Sequence, residues 1–117
     1  TSDESEAVKY IANCFFSVKI SYFNEIKFLC DKLELNWDSV MEGVLSDGRI
    51  GISHYQVPGY DGKPGFGGTC FPKDINSLIT VMKDHDLDPK ILQAAWEVNV
   101  SVRPEKDWEN FSSAVLD

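Results

Sequence analysis

Three observations predict an all-α fold for this chain. Residues up to about Lys32 contain neither glycine nor proline and carry apolar side chains at helical spacing. Three shorter segments with apolar faces of the same period follow. No stretch alternates apolar and polar residues as a half-buried strand would. With 117 residues, 43% of them hydrophobic, the chain is long enough for one domain with its own core. The expected architecture is a long central helix plus three or more shorter ones.

The first helix is expected from Asp3, which stands three residues before Glu6 at capping-box spacing. It runs to about Lys32, roughly 28 residues or ~42 Å at 1.5 Å per residue. Val8, Ile11, Phe15, Val18 and Tyr22 form one apolar stripe, widened by Ala12, Phe16, Ile20 and Phe23. So broad an apolar face needs partners on more than one side. Either the monomer buries the helix completely, or a second copy of the chain covers part of it. A second helix is expected from the N-cap Asn36 to Leu45, closed by Ser46-Asp47-Gly48.

Residues 49–69 hold six of the eight glycines and two of the five prolines, and read as irregular loop. A third helix is expected from Pro72 to His85, with Ile75, Leu78, Ile79 and Met82 on one face. Asp88-Pro89 reads as an N-cap followed by proline at the first helical position. The fourth helix then passes through Ile91, Leu92, Ala95, Trp96 and Val98 and stops before Pro104. Residues 1–103 thus form the helical domain, and 104–117 read as the start of a linker with at most one short turn of helix.

A net charge of −8 without any run of Lys or Arg excludes a nucleic-acid surface. Three cysteines without paired spacing suit a reducing cytoplasm better than a disulfide framework. The sequence shows no signal peptide and no apolar run of membrane-spanning length, so no membrane role is expected. His54 and His85 have no ligand-spaced neighbours, so no metal site is expected.

The stretch "GFGGTCFPKD", residues 65–74, carries the chemistry. Gly65, Gly67 and Gly68 allow backbone conformations closed to other residues and let N–H groups approach a ligand. Pro72 suits the first turn of a helix, which sets Cys70 just ahead of a helix N-terminus. The partial positive charge there favours a thiolate. Asp74 follows one turn later, within reach of whatever the sulfur holds. In the first helix Lys9 and Asn13 lie at i and i+4, a charge and an amide on one face that suit an oxyanion or a water. Cys14 and Cys30 lie within the apolar helix and read as packing residues.

"GFGGTCFPKD", "EAVKYIANCFFSVKISYFNEI", "SDGRIG" and "VNVSVRPEKDW" together resemble the central helical domain of the UDP-glucose/GDP-mannose dehydrogenase family, across essentially the whole chain. The fold implied is similar to the helical C-terminal domain of 6-phosphogluconate dehydrogenase. The resemblance implies a double oxidation, in which a sugar-nucleotide C6 alcohol becomes a carboxylate with two NAD⁺ through a cysteine thiohemiacetal and thioester. Carried onto this sequence, it makes Cys70 the nucleophile and Asp74 the acid/base and water-activating carboxylate. Lys9 and Asn13 become the pair that stabilises oxyanions and orders water, with Asn13 also touching substrate. Arg49 resembles an arginine that reaches into the neighbouring subunit's substrate site, and Tyr55, Phe66, Gly67 and Phe71 match positions lining the sugar and pyrophosphate. The implied partners are a UDP-sugar, UDP-glucose ahead of other nucleotide sugars, and a second copy of the chain against the first helix.

One part of the family pattern is missing. No G-x-G-x-x-G fingerprint and no βαβ pattern occurs, so NAD is expected to bind an N-terminal domain absent here, and the isolated chain is expected to be inactive. The segment "RIGISHYQVPGYDGKPG" is also longer than the matching loop of the better-known members. The other reading open to the sequence is a stand-alone dimerisation or interaction module without catalytic activity.

Overall fold

A computed structural model describes residues 2–110 and contains four α-helices and one 3₁₀ turn, with no strand among those residues. They are α1 (Ser2–Lys32), α2 (Trp37–Leu45), α3 (Cys70–Asp84) and α4 (Lys90–Val102), with the 3₁₀ turn at Asp107–Asn110. The all-α expectation is met. At 31 residues α1 sets the long dimension, and α3 and α4 both pack against it while α2 touches it near its end. The core lies where α1, α3 and α4 meet. Cys14, Phe66, Ile75, Ile79 and Ala95 are buried there, flanked by Val18, Ile20, Leu78, Leu92 and Trp96.

Helix boundaries differ from expectation at three N-termini. The α1 helix begins at Ser2, so Asp3 lies inside the first turn with Glu4, where acids favour the helix dipole, instead of capping it. The α3 helix begins at Cys70, because the Lys73 N–H donates to the Thr69 carbonyl and closes a turn around the cysteine. Pro72 therefore sits third in the helix, where its missing N–H would have had no intrahelical partner anyway. In α4 the N-cap is Pro89, and the Asp88 side chain makes no cap; the Lys90 N–H donates instead to the Asp88 carbonyl. At α2 the expected cap is present, with Asn36 accepting from the Ser39 N–H at 2.9 Å.

The face that α1 turns inward is the larger surprise. Val8, Ile11, Phe15 and Tyr22, four of the five stripe residues, are exposed at 68%, 60%, 61% and 55%, so the monomer does not bury the helix completely. The buried side of α1 instead carries Cys14, Ser17, Lys19, Ser21, Phe23, Asn24 and Cys30. Much of this face is polar because it meets backbone N–H and C=O groups, in α4 as well as in the loop, that require partners once removed from water. Ser21 donates to the Ala95 carbonyl at 2.7 Å, Lys19 donates to the Gly51 carbonyl at 2.7 Å, and Asn24 accepts from the Gly65 N–H at 3.1 Å.

Residues 104–110 are not linker. Trp108 is 4% exposed, with its ring 4.9 Å from that of Trp96, and Asp107 bonds both Arg103 and the Gly68 N–H. The buried indole binds this segment to the domain; the rest of the expected linker, 111–117, lies outside the described residues. Trp108→Ala is expected to cost about 3–5 kcal/mol, as removal of a buried large aromatic does. Thermal unfolding checks this: a melting temperature within a degree or two of the parent would mean the indole contributes no packing.

Candidate active site

The loop between α2 and α3 arrives at the cysteine under close control from other elements. Gly65 has φ +70, and a Cβ there would stand 2.4 Å from Asn99 Oδ1. A Cβ on Gly67 would meet Arg103 Nη1 at 2.0 Å and Asp107 Oδ1 at 2.3 Å. These two glycines are thus required by the approach of α4 and the turn after it. Arg103 is fully buried; it donates to the Pro64 carbonyl at 3.0 Å and the Gly65 carbonyl at 3.3 Å, and pairs with Asp61 at 2.8 Å and Asp107 at 3.3 Å. The equally buried Asn99 accepts from the Phe66 N–H at 2.7 Å and returns a donor to the Phe66 carbonyl at 2.9 Å.

Cys70 emerges from this scaffold exposed, as the first residue of α3, whereas Cys14 and Cys30 are buried, as expected of packing residues. One turn on, Asp74 is only 1% exposed. Its Oδ2 accepts from Asn13 Nδ2 at 2.7 Å, which joins α3 to α1 and brings two of the expected site residues into contact. Its Oδ1 is buried with no hydrogen-bond partner among the described residues. The thiol of Cys14, next to Asn13 in the chain, is pushed up to about 11, first by burial and then by the Asp74 carboxylate. Lys9, one turn before Asn13, is exposed.

The structure holds a cavity of about 210 Å³, walled by Ile20, His54, Tyr60, Phe66, Gly67 and Phe71 among others. Cys70 does not line it, but Gly67 and Phe71 stand on either side of the cysteine in the chain. Phe66 serves two surfaces, since it also belongs to the core. His54 stacks on Phe16 at 4.3 Å between ring centroids, and burial, then the nearby Lys19, hold its pKa below the usual histidine value. Burial likewise lowers that of Lys19. Tyr55 packs edge-on against Phe23 at 6.3 Å and does not line this cavity. Arg49 projects into solvent, its side chain 86% exposed and held by Asp47 at 2.7 Å.

The sequence reading did not single out Lys19, Asn24, Asn99, Arg103 or Asp107. A signal for Asn99 was present: it falls at i+4 from Ala95 on the buried face of an apolar helix, where a polar side chain needs a partner. No group of three or more potential metal ligands occurs among the described residues. An NAD site does not fit them either, since they include no strand and hence no strand–glycine turn–helix.

The profile of the UDP-glucose/GDP-mannose dehydrogenase family, central domain, matches residues 3–101. The chain belongs to this family. It is 40% identical over 99 residues to a UDP-glucose 6-dehydrogenase of Rhizobium meliloti (strain 1021), a match covering 85% of the chain and 22% of the relative. A UDP-glucose 6-dehydrogenase of Rickettsia prowazekii (strain Madrid E) is 40% identical over 86% of the chain and 22% of its own length. UDP-glucose 6-dehydrogenase TuaD of Bacillus subtilis (strain 168) is 35% identical over 86% of the chain and 21% of its own length. The chain thus spans about a fifth of the curated relatives it matches. No helix among the described residues is long and apolar enough to cross a membrane.

The three thiols differ enough in exposure to be told apart chemically. Iodoacetamide at pH 7–9, followed by mass spectrometry, is expected to label Cys70 first. Cys14, with a pKa of about 11, is expected to label only after unfolding, and so is the buried Cys30. Faster labelling of Cys14 or Cys30 in the folded protein would contradict this order.

Proposed function

We propose that this chain provides the catalytic cysteine and the dimer interface of a nucleotide-sugar 6-dehydrogenase that converts UDP-glucose to UDP-glucuronate. The observation that carries the reading is the contact of Asn13 with Asp74, one helical turn from an exposed Cys70. The contact joins two of the residues that the family resemblance singles out, 61 positions apart in the chain. NAD, held outside this chain, accepts the two hydrides when bound.

The roles of the chain's own residues follow from their chemistry. The Cys70 sulfur adds to the C6 aldehyde, forming a carbon–sulfur bond, and the carbonyl oxygen takes a proton to give the thiohemiacetal. Lys9 and Asn13 supply a cation and an amide donor to the oxygen as negative charge develops on it. After the second oxidation the carbon is held as a thioester. Water then adds to it, the carbon–sulfur bond breaks, and the carboxylate leaves with the thiol restored. Asp74 Oδ1, buried and unpartnered, has lone pairs with which to accept the proton of that water. Phe66, Gly67 and Phe71 line the sugar and pyrophosphate through the cavity wall.

A chimera with residues 3–101 in place of the matching segment of the Rhizobium meliloti enzyme tests the chemistry. It is expected to form UDP-glucuronate from UDP-glucose and NAD⁺. Cys70→Ser is expected to abolish net acid formation, and Lys9→Ala or Asp74→Asn to lower kcat by about 10²–10³. Normal turnover by the Cys70→Ser chimera would remove the cysteine from the mechanism. An inert chimera that folds and dimerises would favour the stand-alone interaction module.

The dimer rests on the face of α1 that the monomer leaves bare. Val8, Ile11, Phe15 and Tyr22 form an exposed apolar strip, and a two-fold pairing covers it with the same strip of a second copy. Arg49, free in solvent apart from Asp47, then reaches the partner's substrate site. Sedimentation equilibrium at micromolar concentration is expected to give twice the 13.2 kDa chain mass. Phe15→Glu is expected to shift it to monomer; a monomeric parent would refute the interface.

A further inference from the structure

We propose that Asn99 is a positioning residue for the cysteine loop, an inference that rests on the reading of Cys70 as the nucleophile. Between Pro64 and Gly68 the loop is fastened by side chains from three other places: Asn24 on α1, Asn99 and Arg103 on or just after α4, and Asp107 in the 3₁₀ turn. Together they occupy the Pro64 carbonyl, both polar groups of Gly65, both of Phe66 and the N–H of Gly68. From Gly65 to Gly68, Gly67 alone has neither its N–H nor its C=O bonded among the described residues, and Gly67 lines the cavity. The clamp therefore leaves the polar groups of one residue free while bonding the other half of each peptide that flanks it.

Asn99 is the one member that holds both groups of a single residue, at 2.7 and 2.9 Å. A carboxamide matches this task because it offers an acceptor and a donor side by side. Holding both groups removes rotation of Phe66 about its φ and ψ, and so sets where the next four residues, ending at Cys70, begin. Gly65 is adapted to the same contact, since any larger residue there would displace Asn99 Oδ1. Asn99 is wholly buried and its side chain bonds only Phe66 among the described residues, so the loop is the path along which it acts on Cys70.

The test compares Asn99→Ala, Asn99→Asp and, as a control for general loss of stability, Met41→Ala, which removes a buried side chain from α2. Amide exchange at Phe66, read by NMR, is expected to quicken about 10²-fold in Asn99→Ala while core amides of α1 keep their protection. The rate of Cys70 alkylation is expected to change at least threefold with it. Asn99→Asp keeps the acceptor for the Phe66 N–H, so Phe66 is expected to stay within about tenfold of the parent. Loss of the donor is still expected to move Cys70 alkylation at least threefold. Met41→Ala is expected to lower the melting temperature without either local change. Should Asn99→Ala fail to fold, the Asn99→Asp protein decides.

Unaltered Cys70 alkylation in a folded Asn99 variant, or the same changes in Met41→Ala, would overturn the positioning role. None of these measurements needs substrate. A protein inert toward UDP-glucose would therefore defeat the proposed function while leaving the exchange result to stand or fall by itself.

Discussion

A glycine-rich loop that packs against helices must find a partner for each backbone group it takes out of water. That requirement organises the rest of this domain. An unmet buried N–H or C=O costs about 1–3 kcal/mol, so a five-residue stretch with no partners would cancel much of a small domain's stability. The chain meets the requirement with side chains. Asn24, Asn99, Arg103 and Asp107 stand where an ordinary helix bundle would have leucines. The inward face of α1 is polar for the same reason. Arg103 is secure in full burial because two carboxylates and two carbonyls surround it; a lone buried cation would not be.

The same scaffold explains how an exposed sulfur can still be well placed. Cys70 is fixed from behind by α3, whose Ile75 and Ile79 are core, and from in front by a loop held at both ends of Phe66. Asp74 is drawn in by Asn13, so the carboxylate one turn after the cysteine is set by a contact between different helices. Its Oδ1 and, in the cavity wall, His54 Nδ1 are buried without hydrogen-bond partners among the described residues, and each such group calls for an explanation.

Local patterns made much of this legible in the sequence. The glycine spacing, the position of Pro72 and the helical period located the cysteine loop and all four helices; the cap at Asn36 was right, and α3 begins two residues before the expected Pro72. Hydrophobic periodicity identifies an apolar face without saying what covers it, so complete burial in the monomer and a second copy both stayed open for α1. Here four of the five stripe residues point outward, and of the polar side chains opposite, Lys19 and Asn24 bond the loop while Ser21 bonds α4. The clamp was hidden for a different reason: Asn99 and Phe66 are 33 residues apart, and Asn24 and Gly65 are 41 apart. Their pairing is a property of the tertiary fold. The same is true of Trp108, which sequence composition assigned to a linker and the Trp96 ring draws into the core.

The anchors lie at the far end of the loop, and this has an evolutionary consequence. Residues 59–63 close on themselves, with the Gly59 N–H on the Lys63 carbonyl at 2.9 Å and the Gly62 N–H on the Gly59 carbonyl at 3.0 Å. Tyr60, Gly62 and Lys63 face solvent. A segment closed in this way can lengthen or shorten with little change in closure entropy, about 0.6 kcal/mol for each doubling of a flexible loop. One residue of the segment is not free: Asp61 pairs with the buried Arg103 at 2.8 Å. Insertion, deletion and drift can therefore act on the turn around Asp61, while the geometry around the sulfur is inherited intact only where that carboxylate keeps its place.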